Sequence, residues 1–519
     1  MTDDARGLAE RYGYPYCDLS HFQEDVALWQ GIPMDLILRY RFVPLREEEG
    51  RLAIAVAHPQ NYRRLDELEL TLGRPLAIEV ASESLIEAIL ARNESSSFLL
   101  DEASEALRLD GAAEERNEAE PDAEQESQSP IIKLVHSLLV NGIERRASDI
   151  HIETKEKEVV LKYRIDGVLY PAMEPVDRQH HQTIVSRLKV MAELDVAERR
   201  VPQDGRFKLK IRGRPIDFRV SIMPSIYGED VVVRILDKES ISEQFHELRL
   251  DLLGIPEREL KRLRKFIREP YGMVLVTGPT GSGKTTTLYA ALSEIASPEQ
   301  KLLTIEDPVE YRIQNVTQVP VNERKGLTFA RGLRSILRHD PDTIMVGEVR
   351  DPETASIAVQ AALTGHLVFT TVHANNAFDV IGRFLHMGVD PYNVVSALNC
   401  VLAQRLVRRV CEACRQPMEV PEEELELSGL GKSAGERTFF AGRGCYLCLG
   451  TGFRGRTAVC ELLSLSDRLR QLILERRSNA ELKHVAREEG MISLREHALE
   501  KVFAGTTTLG EINKVTFVD

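Results

Sequence analysis

Apolar and polar residues alternate with a period of two through Val159, Leu161, Tyr163 and Ile165, stop at Asp166-Gly167 and resume at Val168. Period-two alternation broken by Asp-Gly predicts a β-hairpin, because both turn residues tolerate a positive φ. A second hairpin is predicted from Phe207, Leu209 and Ile211, a turn near Gly213, and Ile216, Phe218, Val220 and Ile222. From about residue 269 the pattern changes. Continuous apolar segments at Met273 to Thr277, Leu302 to Ile305, Thr343 to Val346 and Leu367 to Thr371 alternate with helical stretches, as buried strands of a mostly parallel sheet do. Residues 1–93 hold short apolar segments, an alternating strand at Arg51 to Ala57, and a helix capped by Ser82 with Leu85, Ile86, Ile89 and Leu90 on one face. They read as a small α+β domain.

Length and charge narrow this picture. The 519 residues allow roughly three or four domains. No apolar run approaches the roughly 18 residues that cross a bilayer, and the Met-Thr-Asp-Asp start lacks the basic and apolar blocks of a signal peptide, so a cytoplasmic protein is expected. A net charge of −14 argues against nucleic acid as the main partner. Part of the acidic excess is local: residues 101–126 hold eleven carboxylates and two arginines. Residues 94–129 therefore read as a solvated acidic linker, with an acidic recruiting segment as the sharper alternative.

Gly278-Pro279-Thr280-Gly281-Ser282-Gly283-Lys284-Thr285-Thr286 follows the apolar strand MVLVTG and opens a helix, the context a phosphate-binding loop requires. Its glycines let successive N–H groups curl around a β-phosphate, and the helix N-terminus adds positive potential. Lys284 is placed to reach the β- and γ-phosphates and the Thr285 hydroxyl to ligate Mg²⁺, so these nine residues are the candidate ATP site. Glu348, just beyond the strand Thr343 to Val346, is the candidate general base for water. Glu306 and Glu310, at and just after the end of the strand Leu302 to Ile305, are candidates for the outer shell of Mg²⁺. Strand-end solvation is the plainer alternative for these acids. His373, after another apolar strand, is either structural or a sensor of the γ-phosphate.

Of seven cysteines, four form Cys411-x-x-Cys414 and Cys445-x-x-Cys448, a four-thiolate set suited to a closed, structural Zn²⁺ site. Redox pairs or disulfides are the alternatives. Cys17, Cys400 and Cys460 lack such spacing and read as small buried hydrophobes.

Four blocks, GPTGSGKTT, TIEDPVEY, RSILRHDPDTIMVGEVRD and TGHLVFTTVHAN, resemble in order the Walker A, Asp box, Walker B and His box of the ATPases that drive type II secretion and type IV pilus assembly. ASDIHIE, RIDGV, PQDGR and DFRV resemble that family's second N-terminal domain, and TTLGE its C-terminal end. The resemblance implies an α/β protein: a RecA-like P-loop core with mixed α/β N-terminal domains, a tetracysteine zinc subdomain and a C-terminal helical region. The boundaries expected are 1–93 for a partner-docking domain, 94–129 for the linker and 130–240 for the second N-terminal domain. A connector at 241–268, the ATPase core at 269–410, the zinc subdomain at 411–450 and the helical region at 451–519 follow.

The resemblance further implies a homo-hexameric, Mg²⁺-dependent ATPase at the cytoplasmic face of the inner membrane, held there by a membrane partner through residues 1–93. It places transition-state arginines at Arg206 and Arg219; a solvated basic hairpin face, shared with Lys208 and Lys210, is the alternative without it. Type II secretion is the expected process and pilus extension the second. A cyclic-di-GMP sensor and a nucleic-acid translocase stand behind these, since 1–93 lacks a clear Arg- and Leu-containing motif of the first and the acidic balance disfavours the second.

Overall fold

The computed structural model describes residues 5–19, 22, 28, 32, 34–48, 50–93, 130–211, 213–237, 249–431 and 437–518. The expected acidic linker and most of the first half of the connector lie outside the described residues. Two compact units emerge: residues 1–239 with 411–414 and 442–452, and residues 240–410 with 415–441 and 453–519.

In the first unit, β1 (Phe42–Glu48), β2 (Arg51–Val56) and β3 (Leu76–Val80) form a three-stranded sheet with β2 in the middle. The strand expected at Arg51 to Ala57 is β2, and Leu52 through Val56 are all buried, because the strand has a neighbour on each edge and packs in the apolar cluster with Ile86 and Ile89 of the helix Glu83–Asn93.

The other sheet of this unit takes β4 (Ala147–Thr154), β5 (Glu158–Ile165), β6 (Val168–Pro171), β7 (Val176–Asp177), β8 (Gln203–Ile211), β9 (Arg214–Ser225) and β10 (Gly228–Leu236). Its order is β6-β5-β4-β10-β9-β8, with β7 beside β5, and all pairs are antiparallel. Both predicted hairpins are here. Asp166 and Gly167 take φ of 49° and 89°, as the tight turn needs. Val159, Leu161, Tyr163, Phe218, Val220 and Ile222 are buried together with Leu134 and Leu138 of the helix Pro130–Glu144, and the Tyr163 hydroxyl donates to the Leu138 carbonyl at 2.9 Å. A buried phenol without that acceptor would cost a few kcal/mol, about 1–3 by mutational scales.

The second unit is built on β11 (Gly272–Thr277), β12 (Leu302–Glu306), β13 (Val316–Pro320), β14 (Thr343–Val346), β15 (Leu367–Val372), β16 (Leu398–Val410) and β19 (Phe453–Ser464), in the order β13-β12-β14-β15-β11-β16-β19. All neighbours are parallel except β16 and β19. Met273 and Leu275 enter one apolar cluster and Val274 and Val276 another, so the sheet is covered on both faces and its strands read as continuous apolar runs. β17 (Arg415–Met418) and β18 (Phe439–Gly442) pair separately. Four helices, Asp467–Leu474, Asn479–Glu488, Leu494–Phe503 and Leu509–Asn513, follow β19. Ser478 with Glu481 and Ser493 with Glu496 form capping boxes that start the second and third of them. Among the described residues no helix is long and apolar enough to cross a membrane.

Candidate active site and metal centre

Three adjacent strands, β14, β15 and β11, end side by side, with Val346 opposite Thr370 and Thr277 opposite Val372. Glu348, His373 and the loop 278–283 follow these ends, so the sheet register brings together groups scattered over 95 residues of sequence. Cross-links hold the ends in line. Thr277 Oγ1 donates to the Val372 carbonyl at 2.7 Å and accepts from Ala374 N–H at 3.0 Å, while Thr371 Oγ1 donates to the Gly347 carbonyl at 2.7 Å.

The phosphate loop rests on a residue that sequence reasoning missed. Gln404 of β16, 1% exposed, donates through Nε2 to the Ser282 carbonyl at 2.8 Å and accepts from Thr287 Oγ1 at 2.7 Å. Gly278 and Gly283 have φ of 148° and 84°, and a Cβ on Gly283 would lie 2.8 Å from Gln404 Nε2. Lys284 opens the helix Lys284–Ile295, with Nζ 2.9 Å from the Gly278 carbonyl and 3.1 Å from that of Pro279. Burial lowers its pKa, the nearby Glu348 charge opposes that shift and Arg405 adds to it. Thr285 and Thr286 fall in the first turn, where Thr285 is exposed. A cleft of about 1190 Å³ opens beside Gly278, Pro279 and Thr280 and is also lined by His373 and Arg383.

Glu348 Oε1 lies 2.9 Å from His373 Nε2, and its Oε2 lies 2.6 Å from Arg350 Nη2. That bond holds the Arg350 pKa above its usual value. Arg383 Nε donates to the His373 carbonyl at 3.1 Å. The structure thus joins Lys284, Glu348 and His373, and adds Arg350, Arg383, Gln404 and Arg405. A glutamine and an arginine inside the buried run LNCVLAQRLV were the available signal, since buried polar groups must find partners.

Glu306 behaves otherwise. It is 3% exposed, and its carboxylate accepts from the Tyr289 hydroxyl, from Thr304 Oγ1 and from Gln318 Nε2 at 3.1 Å. Through Tyr289 it anchors the phosphate-loop helix. Protein donors meet both oxygens, Thr304 and Gln318 on Oε1 and Tyr289 on Oε2, so Glu306 serves there as a buried acceptor. Glu310 and Asp307 of the same loop are exposed.

Arg206 and Arg219 sit directly opposite each other on β8 and β9, and the row continues with Arg234 on β10, Asp149 on β4 and Arg164 on β5. Asp149 answers Arg234 at 2.9 Å. Like charges at opposed positions are unfavourable for a sheet, so the row concentrates cationic charge at some cost to folding.

Cys411 follows β16, and Cys445 to Cys448 form a tight turn between β18 and β19. The four sulfurs are buried, lie within 4.8 Å of one another, and show separations of 3.7, 3.8 and 3.9 Å. A disulfide needs about 2.05 Å, whereas a tetrahedron with Zn–S of about 2.3 Å has edges of about 3.8 Å. Burial tends to raise the Cys448 thiol, but N–H groups of Cys445 and Gly452, 3.1 and 3.3 Å from its sulfur, outweigh this and lower its pKa. A Cβ on Gly442 would collide with the Gly452 carbonyl, so the close approach of these two backbones requires glycine.

Residues 124–514 match the family model described as Type II/IV secretion system protein, and residues 12–98 match the MshEN domain. The type IV pilus assembly ATPase PilB of Myxococcus xanthus is 41% identical over 513 residues, 97% of this chain and 89% of that protein. The type II secretion system protein E of Dickeya dadantii is 43% identical over 491 residues, 93% of this chain and 97% of that protein. Among solved structures, the Legionella pneumophila ATPase DotB is similar with a TM-score of 0.52, covering 77% of this chain and 97% of that one at 20% identity, a likeness of fold. With a family model spanning most of its length and relatives above 40% identity over nearly all of it, the chain belongs to the type II/IV secretion system protein family and is an ATPase.

Proposed function

We propose that the chain is the Mg²⁺-dependent motor ATPase of a type II secretion system, working as a hexamer at the cytoplasmic face of the inner membrane through a partner bound by residues 1–93. The observation that carries the chemistry is Glu348, bonded to His373 and coupled to Lys284 at the carboxyl ends of adjacent strands. In this reading the loop N–H groups and Lys284 hold the phosphates of ATP, and Glu348 accepts a proton from water aimed at the γ-phosphorus. Each Glu348 oxygen keeps a second lone pair for that water while His373 and Arg350 fix the carboxylate's orientation. Mg²⁺, held by Thr285 with Glu310 or Asp307 beyond it, would screen the phosphate charge. Arg206 and Arg219 supply positive charge to the γ-phosphate in the closed state, a reading supported by the cationic row they begin. Zn²⁺ on Cys411, Cys414, Cys445 and Cys448 is structural, since four thiolates close the shell.

Pilus extension is the second reading, favoured by the relative named PilB, which matches 97% of the chain. Identifying the inner-membrane protein captured by residues 1–93 separates the two. The enzymatic reading is tested by Glu348→Gln, which keeps shape and removes the base. Hydrolysis should fall about a hundredfold or more while ATP still binds. Near-normal turnover would move the base role to another carboxylate.

A further inference from the structure

Two ionisable side chains of the ATPase unit lie just behind the site. Glu461 of β19 is 6% exposed, and burial raises its carboxyl pKa. Its Oε1 accepts from Ala377 N–H at 2.9 Å and its Oε2 from Leu494 N–H at 3.2 Å. Arg405 of β16 is 9% exposed and donates through Nη2 to the Asn375 carbonyl at 2.6 Å. Both therefore grip residues 375–377, the segment that leaves His373. The near end of that segment is tied to the phosphate-loop strand by Ala374 N–H on Thr277 Oγ1. Its far end is tied by the Asn376 side chain, which accepts from Phe378 N–H and Asp379 N–H at the start of the helix Asp379–His386. A cavity of about 110 Å³ is lined by Asn375, Arg405, Glu461 and Leu494.

Leu494 is the first residue of the helix Leu494–Phe503, where the capping box meets the N–H groups of Ser493 and Glu496 but not that of Leu494. One carboxylate thus bridges two backbones, that of the nucleotide-site segment and that of a C-terminal helix. Only a carboxylate offers an acceptor oxygen to each N–H without bringing a donor of its own, which an amide would.

We infer that Glu461, with Arg405 beside it, is a positioning residue that couples the helix Leu494–Phe503 to the ATPase site, holding residues 375–377 so that His373 stays on Glu348. This rests on the reading of Glu348 and His373 given above. Displacement of the C-terminal helix is then felt at the catalytic pair through a single side chain, and the order of the pair is felt at the helix in return.

Three variants test it in the full chain. Glu461→Gln leaves one acceptor for two donors. Leu494→Pro deletes the N–H at the first position of a helix, where proline is tolerated, and Ser493, with φ −71° and ψ 162°, already has the backbone a residue before proline prefers. Leu494→Ala removes side-chain packing but keeps the N–H. Glu461→Gln and Leu494→Pro should lower kcat about three- to tenfold with KM for Mg-ATP nearly unchanged, the range of ordinary coupling energies. Both should speed hydrogen exchange at residues 374–378, while Leu494→Ala does neither. Thermal midpoints identify any variant that fails to fold, and the remaining one decides. The inference is overturned by wild-type kcat and exchange in both variants, or by equal effects of Leu494→Ala and Leu494→Pro. Should Glu348→Gln retain hydrolysis, the base assignment falls alone, because exchange at 374–378 reads the coupling independently of turnover.

Discussion

Gln404 and His497 show how far single residues reach beyond their own strands. Replacing Gln404 with Leu keeps its volume but strands the Ser282 carbonyl behind the phosphate loop; the Thr287 hydroxyl retains only the Gly283 carbonyl at 3.2 Å. Losing such buried bonds costs about 1–2 kcal/mol, so nucleotide affinity should fall about tenfold, as read by fluorescent-nucleotide titration. His497 is 2% exposed, and its Nδ1 accepts from Cys460 N–H at 3.0 Å. Burial first, then the nearby Lys501, lowers its pKa from 6.5 to about 4. Between those values the unfolded chain binds more protons than the folded one, so stability rises with pH across that window and is lost as pH falls through it. The full effect is about 3 kcal/mol. Urea midpoints at pH 7 and pH 4.5 should differ less in His497→Gln than in the wild type, since that variant lacks this titration.

At the scale of elements, two small pieces invite direct test. Cys411→Ser should release the metal and destabilise the turn Cys445–Cys448 together with its neighbours, whereas Cys400→Ser, in β16 and outside the cluster, should leave metal content unchanged; elemental analysis and thermal melting read both. Arg219→Ala should lower turnover more than ATP affinity, because a charge that meets the phosphates in the closed state stabilises the transition state selectively. Steady-state kinetics beside equilibrium binding separates these. Hairpins and buried strands were legible because period and turn chemistry are local: Asp166-Gly167, the alternation of β8 and β9, and the apolar run of β11 each specify their element within a few residues. The phosphate loop was legible for the same reason. The double burial of β2 was not, since it depends on two neighbours and a helix distant in sequence. Nor were the partners of Glu306, Gln404 and Glu461, whose meaning comes from which strand lies beside which.

Over the whole molecule, the strand order bears on the chain as it is being made. β11 ends up between β15 and β16, two strands synthesised about a hundred residues and more later. The phosphate loop therefore leaves the ribosome with neither flank present, and nothing backs Ser282 until Gln404 has emerged. Residue 377 waits longer, for Glu461. Over the stretch of synthesis between residues 286 and 404 the nascent polypeptide holds a nucleotide motif without its backing strand, so a message truncated before β16 should yield a silent fragment in place of a futile ATPase.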